Sequence, residues 1–545
     1  MQHSEFLLTQ RPGVVNARGA KQWLKDLPLT DARTVHHCVA ALVAELEHAP
    51  MTARDRLEIL ETMRGHVFDI NEAYAARYAD KPLPLGLAER NALAHALALW
   101  RHLAAIYMQC VEASLGAEYD LAPRRALCLA RAIGCLCEAI KGQARAGQAD
   151  DARMIDDLQR ILEVADEQNA LHVPVRDSRH PRGQTSVAAT YRRVLLIRLA
   201  AGFAGGRDRE SMFELAQMWE SKTALSWSGQ SAAGDPLRVP AGDKRLVRSL
   251  HMGRWLHLLD VTRLARSLQR RLRKLAAGAP VEELHLPAAM RHPGVAGLLA
   301  RLHEHWCVGT NQRAHPREAA GQAAAQPVRL CPGVAGFEGM YLLIESHAFA
   351  LNAADAPTSR RRFDELFVFQ HTGRARFDER TKMTTGHFET WQITDRGPEG
   401  YRLHRPHGGA RFRCGQVVAM RPSLDESSGT PVMAEIRWLA EPDLSDGAAQ
   451  PGALDAGIEV LPGKPYGVAL RGAGLNTPAD APYEAAFRLG ELHGAAHLSI
   501  VTPPGWFKPG RRIEMKDAET VCTLRLDGLV RRGLDFELID AVLAR

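Results

Sequence analysis

The feature that most constrains this chain is a change of hydrophobic period along its length. From about residue 20 to 350, apolar residues recur every three or four positions. After about Phe363 they come in short β-prone runs between Gly, Pro and Asp. The first spacing lines one face of a helix, and the second belongs to strands. At roughly 100–200 residues per domain, 545 residues allow about three domains and more than one core. The expected fold is therefore multidomain α + β. A helical bundle or α-solenoid-like front precedes a β-barrel and a second small β-barrel-like domain.

Local signals divide the front half. Thr52-Ala53-Arg54-Asp55 reads as a helix start, and Leu57, Leu60, Met63, Val67 and Ile70 follow as one apolar stripe. Lys81-Pro82-Leu83-Pro84-Leu85-Gly86 stops that helix, because proline lacks an N–H and disfavours helix before itself. Further helical patterns run over about 88–118, 124–146 and 150–168. They resume near Val187, Asp208 and Arg245 after a Pro/Arg/His/Gly-rich loop at 172–186. No clean 34-residue period is present, so a strict tetratricopeptide array is not expected. A helix over Arg254–Lys274 carries seven Lys and Arg against Asp260, with leucines on its other side. Such a helix either docks on an anionic surface or is simply a solvated face over a core. The expected boundaries are a helical interaction region at 1–312 and a flexible linker at 313–337. A closing helix and Arg-rich connector follow at 338–362, a barrel at 363–463 and a small β domain at 464–545.

Composition excludes several classes. The net charge of +6, from 69 basic and 63 acidic residues, is mild for this length. Nucleic acid is thus not an expected partner, although an anionic ligand is compatible. No run of about 18 uncharged apolar residues occurs, so no transmembrane segment is expected. The first residues lack a basic segment followed by an apolar one, and nine scattered Cys show no framework spacing. A cytoplasmic location is expected.

The back third carries the motifs. Its first expected strands are His387–Thr394, Gly400–Leu403, Gln416–Arg421, Val432–Leu439 and Gly457–Leu461. A second set is Tyr466–Leu470, Ala485–Leu489, Ala496–Thr502, Arg511–Met515, Thr520–Leu526 and Leu534–Ile539. Within the first set, Trp391-Gln392-Ile393-Thr394-Asp395-Arg396-Gly397-Pro398-Glu399-Gly400 is followed by Cys414-Gly415-Gln416-Val417-Val418. Glu435-Ile436-Arg437-Trp438-Leu439 and Ala456-Gly457-Ile458-Glu459-Val460-Leu461 come next. In this order the four pieces resemble a PilZ domain, the small barrel best known as a receptor for cyclic di-GMP. The likeness covers about 100 residues. Asp395, Gly397 and Gly400 fall on the family's Asp/Asn-x-Ser-x-x-Gly turn, with Gly397 standing where the family has Ser. Arg376-Phe377-Asp378-Glu379-Arg380 fits its Arg-x-x-x-Arg segment. Trp23–Leu29 and the prolines at 82 and 84 are similar to the N-terminal part of larger bacterial PilZ proteins.

The resemblance implies cyclic di-GMP as ligand and assigns Arg376, Arg380, Asp395, Gly397 and Gly400 to its site. Guanidinium groups meet phosphate or the guanine O6/N7 edge with two parallel hydrogen bonds. A carboxylate accepts from guanine N–H groups, and glycine permits close approach. Walker, dinucleotide-fold, nucleophile-elbow and His-Glu-x-x-His motifs are missing from the sequence. His303-x-His305-Trp306-Cys307 does not present its two His on one helical face. The expectation is a non-enzymatic receptor without metal or other cofactor. Nucleotide binding would alter a helical region that contacts an unidentified protein partner. The alternative is a constitutive scaffold whose PilZ-like barrel does not bind.

Overall fold

The computed structural model describes residues 14–28, 30–148, 151–200, 207–227, 245–253, 255–291, 294–308, 318–319, 326–331, 336–347, 349, 388–397, 399–422, 429–442, 452–473, 481–490, 497–517 and 520–544. The chain forms two units, Met1–Lys81 with Leu85–Arg313, and Pro82–Pro84 with Ala314–Arg545.

The first unit is built from α1 (Ala17–Lys25), α2 (Ala32–His48), α3 (Ala53–Ala75), α4 (Leu87–Leu115), α5 (Arg125–Arg145) and α6 (Ala152–Glu167). They are followed by α7 (Val187–Leu199), α8 (Arg207–Trp219), α9 (Thr262–Ala276) and α10 (Val295–His303). The start of α3 is doubly secured. Thr52 Oγ1 accepts from the Asp55 N–H at 3.1 Å, and Glu118 accepts from the N–H groups of Ala53 and Arg54 at 2.8 and 3.2 Å. Leu57, Leu60, Met63, Val67 and Ile70 are all buried, as their spacing requires. Helix α5 is buried nearly all round. Its Ala, Cys and Gly residues leave room for α4 to pack along it. The helices share one continuous apolar core. No helix among the described residues is long and apolar enough to cross a membrane.

Two stretches of this unit form strands, the first inside the expected loop at 172–186 and the second where helix was expected. Residues 172–186 hold the two-residue strands β1 (Val175–Arg176) and β2 (Gln184–Thr185). The helical patterns expected from Arg245 and Arg254 are instead strands. β3 (Ala224–Trp227), β4 (Val247–Met252) and β5 (Trp255–Asp260) form a sheet in the order β3-β5-β4. The alternation decides it: Trp255, His257 and Leu259 are buried while their neighbours are half-exposed. The basic helix therefore begins at Thr262, whose N–H donates to Asp260 Oδ1 at 2.9 Å.

The second unit holds two closed six-stranded rings. The first uses β7 (Gln326–Cys331), β8 (Glu389–Gly397), β9 (Gly400–Arg405), β10 (Val417–Arg421), β11 (Val432–Ala440) and β12 (Leu454–Val460). Its order is β8-β7-β10-β11-β12-β9, closed by the β8–β9 hairpin, and β6 (Glu318–Ala319) pairs with the end of β8. The segment 313–337, expected as a flexible linker, thus supplies β6 and β7. A seam strand between β8 and β10 needs only backbone partners and alternate apolar residues, and buried Val328 and Leu330 provide them.

The second ring contains β13 (Pro465–Gly472), β14 (Glu484–Leu489), β15 (His497–Thr502), β16 (Arg512–Lys516), β17 (Val521–Arg532) and β18 (Glu537–Leu543). It closes in the order β13-β14-β15-β18-β17-β16. A helix, α11 (Gly336–Glu345), binds the two rings into one body. Its Met340, Leu343 and Ile344 share a core with Val417, Ala419 and Met433 of the first ring and Phe487, Val501, Phe536 and Leu538 of the second. Glu345 accepts from the Gly467 N–H at 2.6 Å, and Asp535 accepts from the Val417 N–H at 2.8 Å.

Candidate nucleotide-binding site

The β8–β9 hairpin brings three of the sequence-derived site residues together. Asp395 faces Arg402 across it, and Gly397 faces Gly400. A register shift between Ile393 and Asp395 marks a bulge, which lets one residue be re-aimed without breaking the ladder. Asp395 and Arg396 are also paired on their other side, by Ala319 and Glu318 of β6. Arg396 is exposed at the hairpin tip, with its guanidinium 5.7 Å from the Tyr401 ring. Arg376 and Arg380 lie outside the described residues.

Register extends these positions into rows across four strands. Directly opposed residues of an antiparallel pair share a face. Asp395 opposes Arg402, Arg402 opposes Gly457, and Gly457 opposes Trp438, from β8 through β9 and β12 to β11. The next row on the same face is Gly397, Gly400, Glu459 and Glu435. Arg402 is exposed, so both rows are on the outside of the ring. A bulge between Ile436 and Trp438 keeps Trp438 on this face.

Each row has a distinct character. In the first, a Cβ at Gly457 would overlap the Trp438 indole, so the glycine lets that ring lie down on β12. The Arg402 guanidinium sits 5.6 Å from the Trp438 centroid and is held by Asp455 at 3.2 Å. His404 Nδ1 makes a 2.7 Å contact with the same carboxylate. In the second row the two glycines leave the hairpin end without side chains. Gly400 has a structural reason as well, since a Cβ there would collide with the Ile458 carbonyl. The far end is closed by Arg531, which reaches Glu435 at 2.9 Å and Glu459 at 2.8 Å. Burial works to lower the Arg531 pKa. The hydrogen bond that Arg531 donates to Glu459 and the charges of both carboxylates more than reverse that and raise it.

This face can do three things. Asp395 offers a carboxylate to N–H donors, and the exposed Arg402 offers a planar fork. Stacked on Trp438, that fork also extends a flat surface on which a base can lie. Sequence reasoning found the hairpin residues because they are contiguous. It missed Arg402, Trp438 and Asp455 as site residues, since only strand register joins them; the signal was the Arg437-Trp438 pair read as a strand.

A second candidate is a cavity of about 210 Å³ in the helical unit. Arg64, Arg131, Lys141, Arg145, Arg179 and Arg193 line it, but each is already answered. Arg131 pairs with Glu61 at 3.0 Å, Arg64 with Asp177 at 3.0 Å, and Arg145 with Glu72 and Glu210 at 2.8 and 2.6 Å. Arg179 pairs with Asp69 at 3.0 Å, and Glu138 takes both Lys141 and Arg193, at 2.6 and 3.1 Å. Burial by itself would raise the Glu138 carboxyl; Lys141 and Arg193 overcome it and bring it down to about 2. A charge-balanced network of this kind spends its cations on the fold and leaves little for an anion.

No curated protein and no solved structure matches the chain. Residues 18–229, which apart from Pro82–Pro84 belong to the helical unit, match the family model described as "Cyclic-di-GMP receptor FimW, N-terminal domain".

Proposed function

We propose that this chain is a non-enzymatic receptor for cyclic di-GMP, with the nucleotide on the outer face of the first ring. The observation that carries the reading is the cross-strand row Asp395–Arg402–Gly457–Trp438 beside the side-chain-free pair Gly397 and Gly400. A guanine placed there stacks on Trp438 and Arg402 and donates its N–H groups to Asp395. Arg376 and Arg380 then supply the phosphate contacts, as the PilZ resemblance implies. The match of residues 18–229 to the N-terminal domain of a cyclic di-GMP receptor supports the same ligand from a separate stretch of the chain. In this reading the bound nucleotide alters the helical interaction region, which requires different affinity for two arrangements of the protein. Asp395 and Arg402 act as binding groups, with no bond-making role.

Two observations favour the second reading, a constitutive scaffold. Gly397 brings no hydroxyl, and the packing of Gly400 against Ile458 explains that glycine without a ligand.

Calorimetric titration of the full chain with cyclic di-GMP separates the two. Saturable binding is expected, weakened about 10- to 100-fold by Arg402→Ala, the range for losing a charge-assisted hydrogen bond. Asp395→Ala and the Arg376→Ala/Arg380→Ala pair should each weaken it as well. Binding untouched by all of these variants would move the site elsewhere. No heat with the wild-type chain would leave the scaffold.

A further inference from the structure

Helix α9 carries a second surface, unrelated to the barrel. Its sequence from Thr262 to Ala276 holds five Arg and one Lys and no acid. Leu264, Ala265 and Leu268 are buried in the core of the helical unit, and Leu272 and Leu275 pack against it. This apolar side fixes the helix and turns the opposite side to solvent. There Arg263, Arg266, Arg270, Arg273 and Lys274 are exposed. At 3.6 residues per turn they form one stripe about 15 Å long.

The stripe is uncompensated. Among the described residues, Arg263, Arg266, Arg270 and Arg273 make no ion pair; Lys274 reaches only Glu283, at 3.9 Å. One neighbouring segment adds a cation, Lys222, and another, Val281–Leu284, adds the exposed acids Glu282 and Glu283 near Lys274, fewer than the five exposed cations of the stripe. Lys222 donates to Ser267 of the helix at 2.5 Å, and its ammonium and the Arg271 guanidinium lie 5.3 and 5.0 Å from the Trp219 ring. Burial, and then the charges of Arg271, Arg182, Arg270 and Arg263, bring the Lys222 pKa down to about 8. Glu220 is the acid nearest Lys222; it lies 3.9 Å from Arg182 and is buried rather than on the surface.

We infer that this stripe docks the helical unit on the anionic phosphate headgroups of a lipid surface. Five of the six cations of α9 are arginine, whose planar fork matches phosphate oxygens two at a time. A straight row on one fixed helix suits a flat surface. A surface that binds single strands by stacking would need exposed aromatic rings among the cations, and Trp219, the ring at this patch, is 2 % exposed. The apolar side of α9 is already spent in the core, so the contact is electrostatic and peripheral, without insertion.

The test is sedimentation of the full chain with vesicles of phosphatidylcholine alone or with roughly 30 % phosphatidylglycerol, without nucleotide. Binding is expected to the anionic vesicles only and to fall steeply as salt is raised. Arg266→Gln/Arg270→Gln/Arg273→Gln removes three exposed cations and no internal bond, so the fold should persist, checked by its melting curve. Partition should drop roughly a hundredfold, at about fivefold per cation. Binding equal on both vesicles, or unchanged in the triple variant, overturns the inference. Tighter binding of a DNA duplex than of anionic vesicles through the same arginines overturns it in favour of nucleic acid.

Discussion

At the scale of single residues, burial of titratable groups decides how this protein responds to pH. His36 is fully buried and stacks on Tyr74 at 3.8 Å; His257 is fully buried beside Trp227 and Trp255 and meets the Tyr191 hydroxyl at 3.2 Å. Burial lowers both from 6.5 to about 4. The folded state thus holds them neutral while the unfolded chain takes up protons below about pH 6.5. Their contribution is complete above that value and is lost as pH falls toward 4, on the order of 3 kcal/mol for each by linkage. The loss linked to Glu138 begins lower, as pH falls from its ordinary 4.5 toward about 2. Urea unfolding of the full chain should accordingly weaken between pH 6.5 and 4. His36→Phe with His257→Phe should flatten that stretch, whatever it does to stability at neutral pH. A slope unchanged in the double variant would show that these rings are not the source.

Secondary-structure elements show where local sequence suffices and where it does not. The start of α3 is held by Thr52, which is readable locally, and by Glu118, which arrives from beyond the end of α4. Thr52→Ala should cost about 1 kcal/mol of unfolding free energy. Glu118→Gln should cost a similar amount, because one amide oxygen can still accept from Ala53 but the bond from Arg54 and the charge at the helix N-terminus are gone. A larger loss for Glu118→Gln, measured by the same denaturant titration, would make the charge the main cap. The apolar stripe of α3 and nearly every strand after Glu389 were legible from period alone. β7 was hidden because Gln326–Cys331 sits in an Ala/Gln/Pro-rich stretch, and a ring strand takes its stability from neighbours on both sides. The β4–β5 hairpin was hidden because its six-residue strands abut a strongly helical sequence, and the two periods blur where they meet.

At the scale of the whole molecule, the order of helical region, barrel and second barrel was legible, because a period change survives ignorance of every contact. The way the two rings share α11 and one core was not, since Met340 and Phe536 are far apart in sequence. The candidate site divides on the same line. Asp395, Gly397 and Gly400 were found as one hairpin, while Arg402 and Trp438 join them only through the register of β9, β12 and β11. The central claim is therefore a claim about place: cyclic di-GMP binds the outer face of the first ring. Hydrogen exchange of the full chain, with and without saturating cyclic di-GMP and read by mass spectrometry, tests it most directly. The account predicts slower exchange in peptides covering 389–405 and 454–460. It predicts altered exchange in the helical unit as well, if the nucleotide is coupled to it. Protection confined to the helical unit, or no change at any peptide, would contradict it.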